Sequence, residues 1–433
     1  MKPGSRKMMW TAAFLSAAML TMTGACGGDD GGGGGGEKAT NGKVKITFAY
    51  WGSDSRQKLT EQAFKKFEEK NPNIEVEGDF SSFDSYYEKL ATKVAADDAP
   101  DVITIEIRGL SEYAERGALA DLTGKVPTAD LDQQVLSSGQ VDGKQYALPT
   151  GVNTFAMLAN PDIVEKAGQK LPDDKTWTWD QYLDLSKKIT GAGGAGVYGT
   201  EYNYNPAFLQ IFAAQRGEKF YDGNKIGMSA ETLKAWWSIH QKLIQTKGSP
   251  DAAKSAEIGS TGPEQSLLGT DKGALGMWWS NELNTLDTSS GKELSLLRMP
   301  RAPGATSSGM FLQPAMYYTM SAKTKHPAEA AKLLDFMVND PDAASILLSD
   351  RGLPTNSKVL AAVKDKLPAA DRQTLDFIDQ VKGELSPIVA PPKGSLQMTD
   401  ILKRNTEEVL FGRATPDAAA QKFLEEANAA IAG

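Results

Sequence analysis

Residues 44–54, VKITFAYWGSD, decide how this chain folds, because they join a buried strand to the start of a helix. Val44, Ile46 and Phe48 alternate with the residues between them, which predicts a strand with one face in a core. The strand gives way at Trp51, and the glycine, serine and aspartate after it predict a turn and a helix cap. The stretch therefore predicts a β-strand that leads directly into an α-helix.

Strand and helix patterns go on alternating beyond this stretch. The next predicted segments are a helix before Asn71, a strand at 74–78, a helix at 86–96 and a strand at 102–107. Such alternation predicts parallel pairing in an α/β sheet with helices on its faces. Ligands of these sheets bind beyond the carboxyl ends of the strands, where residues 51–54 and 106–109 are expected.

The later part of the chain has different patterns. The segment GAGGAG at 191–196 has the G-x-G-x-x-G spacing of a dinucleotide-binding loop. It follows a helical pattern and leads into a strand-like one, which is the reverse of the context that such a loop requires. We therefore interpret it as a flexible connection. Residues 359–432 are helical in pattern almost throughout.

Composition limits the possible functions. The chain has 433 residues, which suits two domains better than one core, and a net charge of -8, which argues against a nucleic-acid partner. Its two histidines, His240 and His326, are far apart in sequence, so a metal site or a Ser-His-Asp centre is poorly supplied. No nucleophile elbow, metalloprotease or P-loop motif is present. We expect no catalytic residue, no metal and no cofactor.

The start of the chain predicts export and a lipid anchor. Positive residues, an apolar run at 8–22 and three small residues precede Cys26, the only cysteine, as in a secretory signal. The T-G-A-C stretch resembles the lipobox of bacterial lipoproteins, although Thr23 stands where leucine is usual. The resemblance implies a lipid on Cys26. The glycine-rich residues 27–42 would then be a tether to the outer face of the membrane. An ordinary signal peptide with an unpaired cysteine is the alternative.

Aromatic residues gather near the predicted loops and strand ends. They include Trp51, the group at 80–87, Tyr204, Trp279 and the pair at 317–318. Flat aromatic faces pack against the C–H faces of sugar rings, and a few polar groups fix the orientation of a ligand in such a pocket. Packing in the core is the competing explanation for each of these aromatics.

Several segments in order resemble the extracellular solute-binding proteins of bacterial ABC importers that take sugars. They are ITFAYWG (46–52), FKKFEEKNPNIEVE (64–77), APDVITIEIRGLSEYAERGALADL (99–122), DGKQYALPTGVNTFAMLAN (142–160), KTWTWDQYLDLSKKI (175–189), KGALGMWWSNEL (272–283), HPAEAAKLLDFMV (326–338) and RGLPTN (351–356). The resemblance covers nearly all of the chain after the tether.

The resemblance implies an α/β fold of two lobes, like that of periplasmic binding proteins, with a cleft between them and crossing hinge strands. The expected organisation is a signal peptide at 1–26, a tether at 27–42, a first lobe at 43–153 plus 317–350, and a second lobe at 154–316 plus 351–433. Hinge bending would close the cleft on the ligand.

The resemblance also implies a set of ligand contacts, each at a strand end or a lobe crossing. They are Trp51, Asp54, Ser82, Glu106, Arg108, Asn153, Tyr204, Trp279, Asn281, Tyr317 and Arg351. Glu106 and Arg108 are expected to form an ion pair, either at the ligand or as a structural bridge on the cleft rim.

The predicted function is that of a monomeric, lipid-anchored protein which binds a carbohydrate, expected to be an oligosaccharide, and delivers it to the membrane permease subunits of an ABC importer. A secreted enzyme that acts on polysaccharides is one alternative, because two catalytic carboxylates need no local motif. A binding protein for a solute other than sugar is the second alternative.

Overall fold

The computed structural model describes residues 42–388 and 390–432, with the exception of the side chain of Asp84. The predicted signal peptide, Cys26 and the tether up to residue 41 lie outside these residues. Within the described part of the chain, no helix is both long enough and apolar enough to cross a membrane.

The strands of the described residues, in chain order, are β1 (Val44–Trp51), β2 (Ile74–Ser81), β3 (Val102–Ile105), β4 (Gln140–Val141), β5 (Lys144–Gln145), β6 (Ala147–Pro149), β7 (Gly151–Ala159), β8 (Tyr198–Thr200), β9 (Gly273–Trp279), β10 (Ser295–Leu297), β11 (Leu312–Pro314), β12 (Tyr317–Met320) and β13 (Leu353–Pro354).

The helices of the same residues are α1 (Asp54–Lys70), α2 (Phe83–Ala95), α3 (Ile107–Glu115), α4 (Gln133–Ser137), α5 (Pro161–Lys166), α6 (Trp179–Ala192), α7 (Pro206–Gln215), α8 (Ala230–Gln245), α9 (Ala252–Ile258), α10 (Leu283–Ser290), α11 (Pro327–Asn339), α12 (Pro341–Leu347), α13 (Ser357–Val363), α14 (Ala369–Val381), α15 (Met398–Leu410) and α16 (Pro416–Ala432).

The first sheet has the strand order β2-β1-β3-β12-β6. β1 pairs in parallel with β2 and β3, whereas β12 lies antiparallel between β3 and β6. The alternation predicted for β1 is present, since Ile46 and Phe48 are fully buried and Lys45 is exposed. The ring of Phe48 contacts Phe64 of α1 and Tyr318 of β12, so this strand joins the helix layer to the middle of the sheet.

The turn after β1 starts α1 as the sequence predicts. The Ser53 hydroxyl accepts a hydrogen bond from the backbone N–H of Arg56, which satisfies one free donor of the first turn. The helix ends at Lys70, and the N–H of Asn71 donates to the carbonyl of Phe67 before Pro72 prevents continuation.

The third predicted strand is shorter than expected. It ends at Ile105 instead of residue 107, and Ile107 begins α3. The reason is local: the N–H of Glu106 donates to the hydroxyl of Tyr87 at 2.9 Å, and the N–H of Gly109 donates back to the carbonyl of Glu106. These bonds turn the chain into a helix at the position where a strand would otherwise continue.

The second sheet is built around β7, whose nine residues are all buried. β9, β10, β11 and β13 all pair with it in antiparallel register, and β8 lies parallel beyond β9. The GAGGAG segment ends α6 and leads to β8, with Gly194 and Gly196 at positive φ. Its interpretation as a connection is therefore confirmed.

The chain crosses between the two sheets three times: from β6 to β7, from β11 to β12 and from α12 to β13. The crossings lie side by side, because the N–H of Thr150 donates to the carbonyl of Met316 and its hydroxyl donates to the carbonyl of Arg351. Gly151 and Gly352 face each other there so closely that a Cβ on Gly151 would lie 2.5 Å from the carbonyl oxygen of Gly352. The predicted two-lobed α/β fold with crossing strands is thus present.

The C-terminal helices complete the second lobe and touch the first. α14 packs on α10, and α15 and α16 pack on α8. The segment between α14 and α15 reaches α3, where the Ser111 hydroxyl donates to the carbonyl of Pro391 at 2.8 Å. The exact lobe boundaries given by the sequence stay predictions.

Candidate functional site

A cavity of about 1090 Å³ lies between the two lobes. The first lobe contributes Phe83 and the segment from Glu106 to Arg108, at the carboxyl ends of β2 and β3. The second lobe contributes Trp279, Gln313 and the loop at 217–223. The cavity is therefore at the place where the strand order predicts a ligand.

Phe83 presents an aromatic surface to this cavity. It is 43% exposed, and Phe83 and Phe411 are the two exposed large apolar side chains of the described residues. Trp51 is only 6% exposed and lies behind Phe83, with their ring centroids 5.6 Å apart. Trp51 thus supports the ring that faces the cavity, and it also packs against Tyr86.

Glu106 and Arg108 form the predicted ion pair at the N-terminus of α3. Nη2 of Arg108 lies 2.6 Å from Oε2 of Glu106, and both side chains are about a quarter to a third exposed. Nη1 of Arg108 donates to the hydroxyl of Thr399 at 3.3 Å, so this pair also connects the first lobe to α15. Burial lowers the pKa of Arg108, but the Glu106 carboxylate more than offsets this and the pKa is raised.

Tyr221 approaches the same pair from the second lobe. It lines the cavity, burial raises the pKa of its hydroxyl, and the positive charge of Arg108 opposes that rise. Its phenol therefore stays protonated at neutral pH and can donate a hydrogen bond to a ligand.

The face of the second sheet that meets the cavity follows from the strand register. Asn153 pairs with Gln313, and Phe155 pairs with Trp279. Directly opposite residues of antiparallel strands share a face, and so do residues two apart on one strand, so all four side chains lie on one side. Trp279 and Gln313 line the cavity, which places Asn153 on the same face.

Two amide groups, one on this face and one just after β9, have an oxygen without a hydrogen-bond partner. The amide oxygens of Asn153 and Asn281 are buried and accept no hydrogen bond from the described residues. A buried polar atom without a partner is costly unless a ligand or water satisfies it. Trp279 is partly buried, because its indole packs against Phe155.

The charges around the cavity have an excess of carboxylates. The lining carboxylates are Glu106, Glu218, Asp222 and Asp400, and the lining cations are Arg108 and Lys219. Glu218 is held by Ser229, whose N–H and hydroxyl donate to its two oxygens. Asp222 lies 3.8 Å from the amine of Lys225. The cavity is therefore mildly acidic.

The remaining predicted contacts lie away from the cavity lining. Asp54 and Ser82 are exposed at the starts of α1 and α2. Tyr317 is fully buried in β12, and its hydroxyl is 2.6 Å from that of Ser138. Tyr204 is buried against Tyr202, with Lys403 over its ring.

Arg351 lies at the third crossing and has structural partners. Its Nη2 donates to the Thr60 hydroxyl at 2.6 Å, its Nη1 lies 3.3 Å from Asp350, and its guanidinium is 6.0 Å from the ring centre of Tyr318. Ligand contact by each of the eleven predicted residues stays a prediction. The structure brings together Glu106, Arg108 and Trp279 in the cavity lining, and the strand register places Asn153 on the same face of the second sheet.

Sequence reasoning did not select Phe83, the 217–223 loop or Thr399. The group of aromatics after β2 was a signal for Phe83, although the predicted contact there was the preceding serine. The loop and Thr399 have no local motif, because they reach the cavity through packing of distant segments. Among the described residues, no three His, Cys, Asp or Glu side chains are placed to hold a metal ion.

Comparisons of the sequence with known proteins agree on one family. Residues 52–344 match the model of the family described as bacterial extracellular solute-binding protein. A diacetylchitobiose binding protein of Streptomyces coelicolor is 24% identical, with 95% of this chain and 96% of that protein covered. An uncharacterized lipoprotein of Streptomyces antibioticus is 24% identical over 74% of this chain and 72% of its own length.

Solved structures agree on the fold. An ABC substrate-binding protein from Listeria monocytogenes, in complex with cycloalternan, superposes with a TM-score of 0.76 at 23% identity. The match covers 90% of this chain and 99% of that one. At this identity the similarity supports the two-lobed fold alone.

Proposed function

The chain belongs to the bacterial extracellular solute-binding proteins, and from this premise we propose that it captures an oligosaccharide in the cleft between its lobes and delivers it to the permease subunits of an ABC importer. The observation that supports this most is the cavity of about 1090 Å³ with the exposed ring of Phe83 on one wall and Trp279 on the other. Its volume is at the upper limit of roughly 300–1,000 Å³ for small-molecule sites, which suits several sugar rings.

The chemistry of the lining fits a sugar. A pyranose ring has apolar C–H faces and polar edges, so it needs a flat apolar surface together with hydrogen-bonding groups at the side. Phe83 and Trp279 supply the surfaces. Gln313 and Asp400 line the cavity and can accept hydrogen bonds from hydroxyls, and the Tyr221 hydroxyl can donate one.

Similar proteins support a carbohydrate over another solute. The Streptomyces coelicolor relative is described as binding diacetylchitobiose, and a relative from Rhizobium radiobacter as binding lactose. These names belong to those proteins, and they make oligosaccharides the first ligands to test here.

Capture follows from hinge closure in this proposal. The three crossings permit each lobe to move as a rigid body. A ligand can contact both walls of the cavity at once only when the cleft is closed. The contacts of Arg108 with Thr399 and of Ser111 with Pro391 already join the lobes at the side of the cleft near α3.

The lipid anchor is part of the proposal. The protein acts outside the cytoplasm, as its family does, and a lipid on Cys26 would hold it beside the importer at a high effective concentration. The lipoprotein relative of Streptomyces antibioticus supports this. Metabolic labelling with a fatty acid should mark the wild type and not Cys26→Ser. Labelling of neither protein would remove the anchor and leave the cleft proposal standing.

Binding is tested by calorimetric titration of the purified protein with lactose, diacetylchitobiose, maltotriose, cellotriose and xylotriose, followed by chromatography of the sugars. We expect reversible binding of at least one oligosaccharide and its recovery unchanged. Consumption of the sugar would instead support an enzyme, the alternative that the sequence left open.

Two matched variants connect binding to the cleft. Phe83→Ala should weaken binding at least tenfold, because it removes one aromatic wall of the cavity. Phe411→Ala removes an equally exposed ring, 42% against 43%, outside the cavity and should leave affinity unchanged. Equal effects of the two substitutions would contradict the assignment of the site.

A further inference from the structure

We propose that Glu106 is a specificity-determining residue, which keeps anionic sugars out of the cleft by occupying Arg108, so that the ligands are uncharged oligosaccharides. The inference rests on the proposed function, and it adds a charge selection that the family assignment does not contain.

The geometry of Arg108 carries the first step. Guanidinium groups bind carboxylates most strongly through two parallel N–H donors. In this cleft Nη2 of Arg108 already donates to Glu106 at 2.6 Å, and Nη1 donates to the Thr399 hydroxyl at 3.3 Å. Each bond uses one of the five N–H donors of the guanidinium, so a uronate entering the cleft meets a cation whose charge is already paired and two of whose donors are taken.

Glu106 and Arg108 are only two residues apart in sequence, which favours the ion pair between them. The two residues flank Ile107 at the start of α3, where Glu106 is the N-cap residue and its N–H is fixed by the Tyr87 hydroxyl. An ion pair between near neighbours on a fixed turn loses little entropy when it forms. Ligand binding therefore finds the pair already made.

The other charges around the cavity add up to an excess of carboxylates. Lys219 is the second lining cation, and it is exposed on the 217–223 loop. Asp222 lies on the same loop, and Asp400 faces the cavity from α15. With Arg108 and Glu106 neutralising each other, the remaining lining charges are Glu218, Asp222 and Asp400 against Lys219, and this excess of carboxylates repels a uronate and not a neutral sugar.

The same pair remains useful to a neutral ligand. Sugar hydroxyls donate and accept hydrogen bonds, and the Oε1 atom of Glu106 accepts none from the described residues. A hydroxyl can therefore bind the pair without breaking it. A carboxylate has no proton to donate and cannot.

The test compares neutral trisaccharides with trigalacturonate by calorimetry at low salt, on the full-length wild type and on Glu106→Gln. For the wild type we expect trigalacturonate to bind at least tenfold more weakly than the best of maltotriose, cellotriose and xylotriose. In Glu106→Gln the carboxylate that holds Arg108 is gone, so this ratio should fall at least tenfold.

Two further variants keep the result interpretable. Glu112→Gln removes another acid of α3, which pairs with Arg116 outside the cavity, and should leave the ratio at the wild-type value. Adding Arg108→Gln to Glu106→Gln should abolish the gain for trigalacturonate. Melting curves check that each variant is folded.

The outcomes separate the two proposals. Wild-type protein that binds trigalacturonate as tightly as the best neutral sugar overturns the charge selection and leaves sugar capture standing. A ratio that Glu106→Gln does not change overturns the role of Glu106. Binding of no sugar at all overturns the proposed function, and the inference with it.

Discussion

The buried histidine of the second lobe gives a quantitative prediction about acid stability. His240 of α8 is 2% exposed and packs edge-on against Tyr202 and Trp236, with ring centroids at 4.3 and 4.6 Å. Neither ring nitrogen has a hydrogen-bond partner among the described residues. Burial without a partner disfavours the charged form, and it lowers the pKa of His240 from 6.5 to about 3.

The sign and size follow from the difference between the folded and unfolded chains. A base whose pKa is lowered on folding contributes stability above the unfolded pKa and loses it as the pH falls. The window therefore runs from 6.5 down to about 3. At pH 5 the unfolded histidine is protonated and the folded one is not, which costs about 2 kcal/mol of the free energy of unfolding.

The perturbation is His240→Phe, which keeps an aromatic ring and removes the titration. Urea unfolding, followed by tryptophan fluorescence at pH 8 and pH 5, gives the free energy of unfolding of both proteins. We expect the wild type to lose about 2 kcal/mol more than the variant between these two pH values. A constant cost of fitting the larger ring cancels in this comparison.

The control is His326→Gln, which removes the other histidine and keeps His240 in place. It should show the same additional loss at pH 5 as the wild type. If wild type and His240→Phe lose stability equally between pH 8 and pH 5, then His240 is protonated in the folded protein and the reasoning from its burial is refuted.

Three other perturbations test separate parts of the structure. Gly352→Ala should lower the free energy of unfolding in urea by roughly 1–2 kcal/mol more than Gly412→Ala. Both glycines have positive φ, but only Gly352 has backbone atoms within 3 Å of the new Cβ. Equal losses would exclude close packing at the crossing. Trp279→Ala should weaken sugar binding at least tenfold, as measured by calorimetry. It should also lower the free energy of unfolding in urea by roughly 2 kcal/mol, because the indole packs on Phe155. Unchanged affinity would place Trp279 outside the site. Burial raises the pKa of Glu201 to about 7, so the folded protein loses stability as the pH rises from 4.5 to 7. Glu201→Gln does not titrate, so its melting temperature relative to that of the wild type should increase over this range. A difference that stays constant with pH would contradict the prediction.

Much of the fold follows from the sequence because the deciding signals are local. The alternation at 44–50 and the serine cap before α1 depend on residues a few positions apart, and the structure has both. The Glu106–Arg108 pair was predictable for the same reason, since two residues of separation fix its geometry. The end of β3 was not predictable, because the hydroxyl of Tyr87 that turns the chain at Glu106 comes from another helix.

The walls of the cleft depend on long-range packing, which one sequence does not encode in any short pattern. Trp51 and Phe83 are both aromatic residues at strand ends, and nothing local distinguishes them. The packing of Trp51 against Tyr86 and Tyr87 of α2 leaves Phe83 as the ring in contact with solvent. Likewise, Thr399 reaches Arg108 across 291 residues of chain.

The position of β12 has a consequence for the order of folding. This strand lies between β3 and β6, yet 167 residues separate its first residue, Tyr317, from Thr150, where the chain leaves the first sheet. Until β12 has been synthesised, the facing edges of β3 and β6 have no partner, and the first sheet cannot close. Pairing over such long separations is slow. In a chain destined for the outside of the cell, the first sheet therefore stays incomplete until β12 has been made.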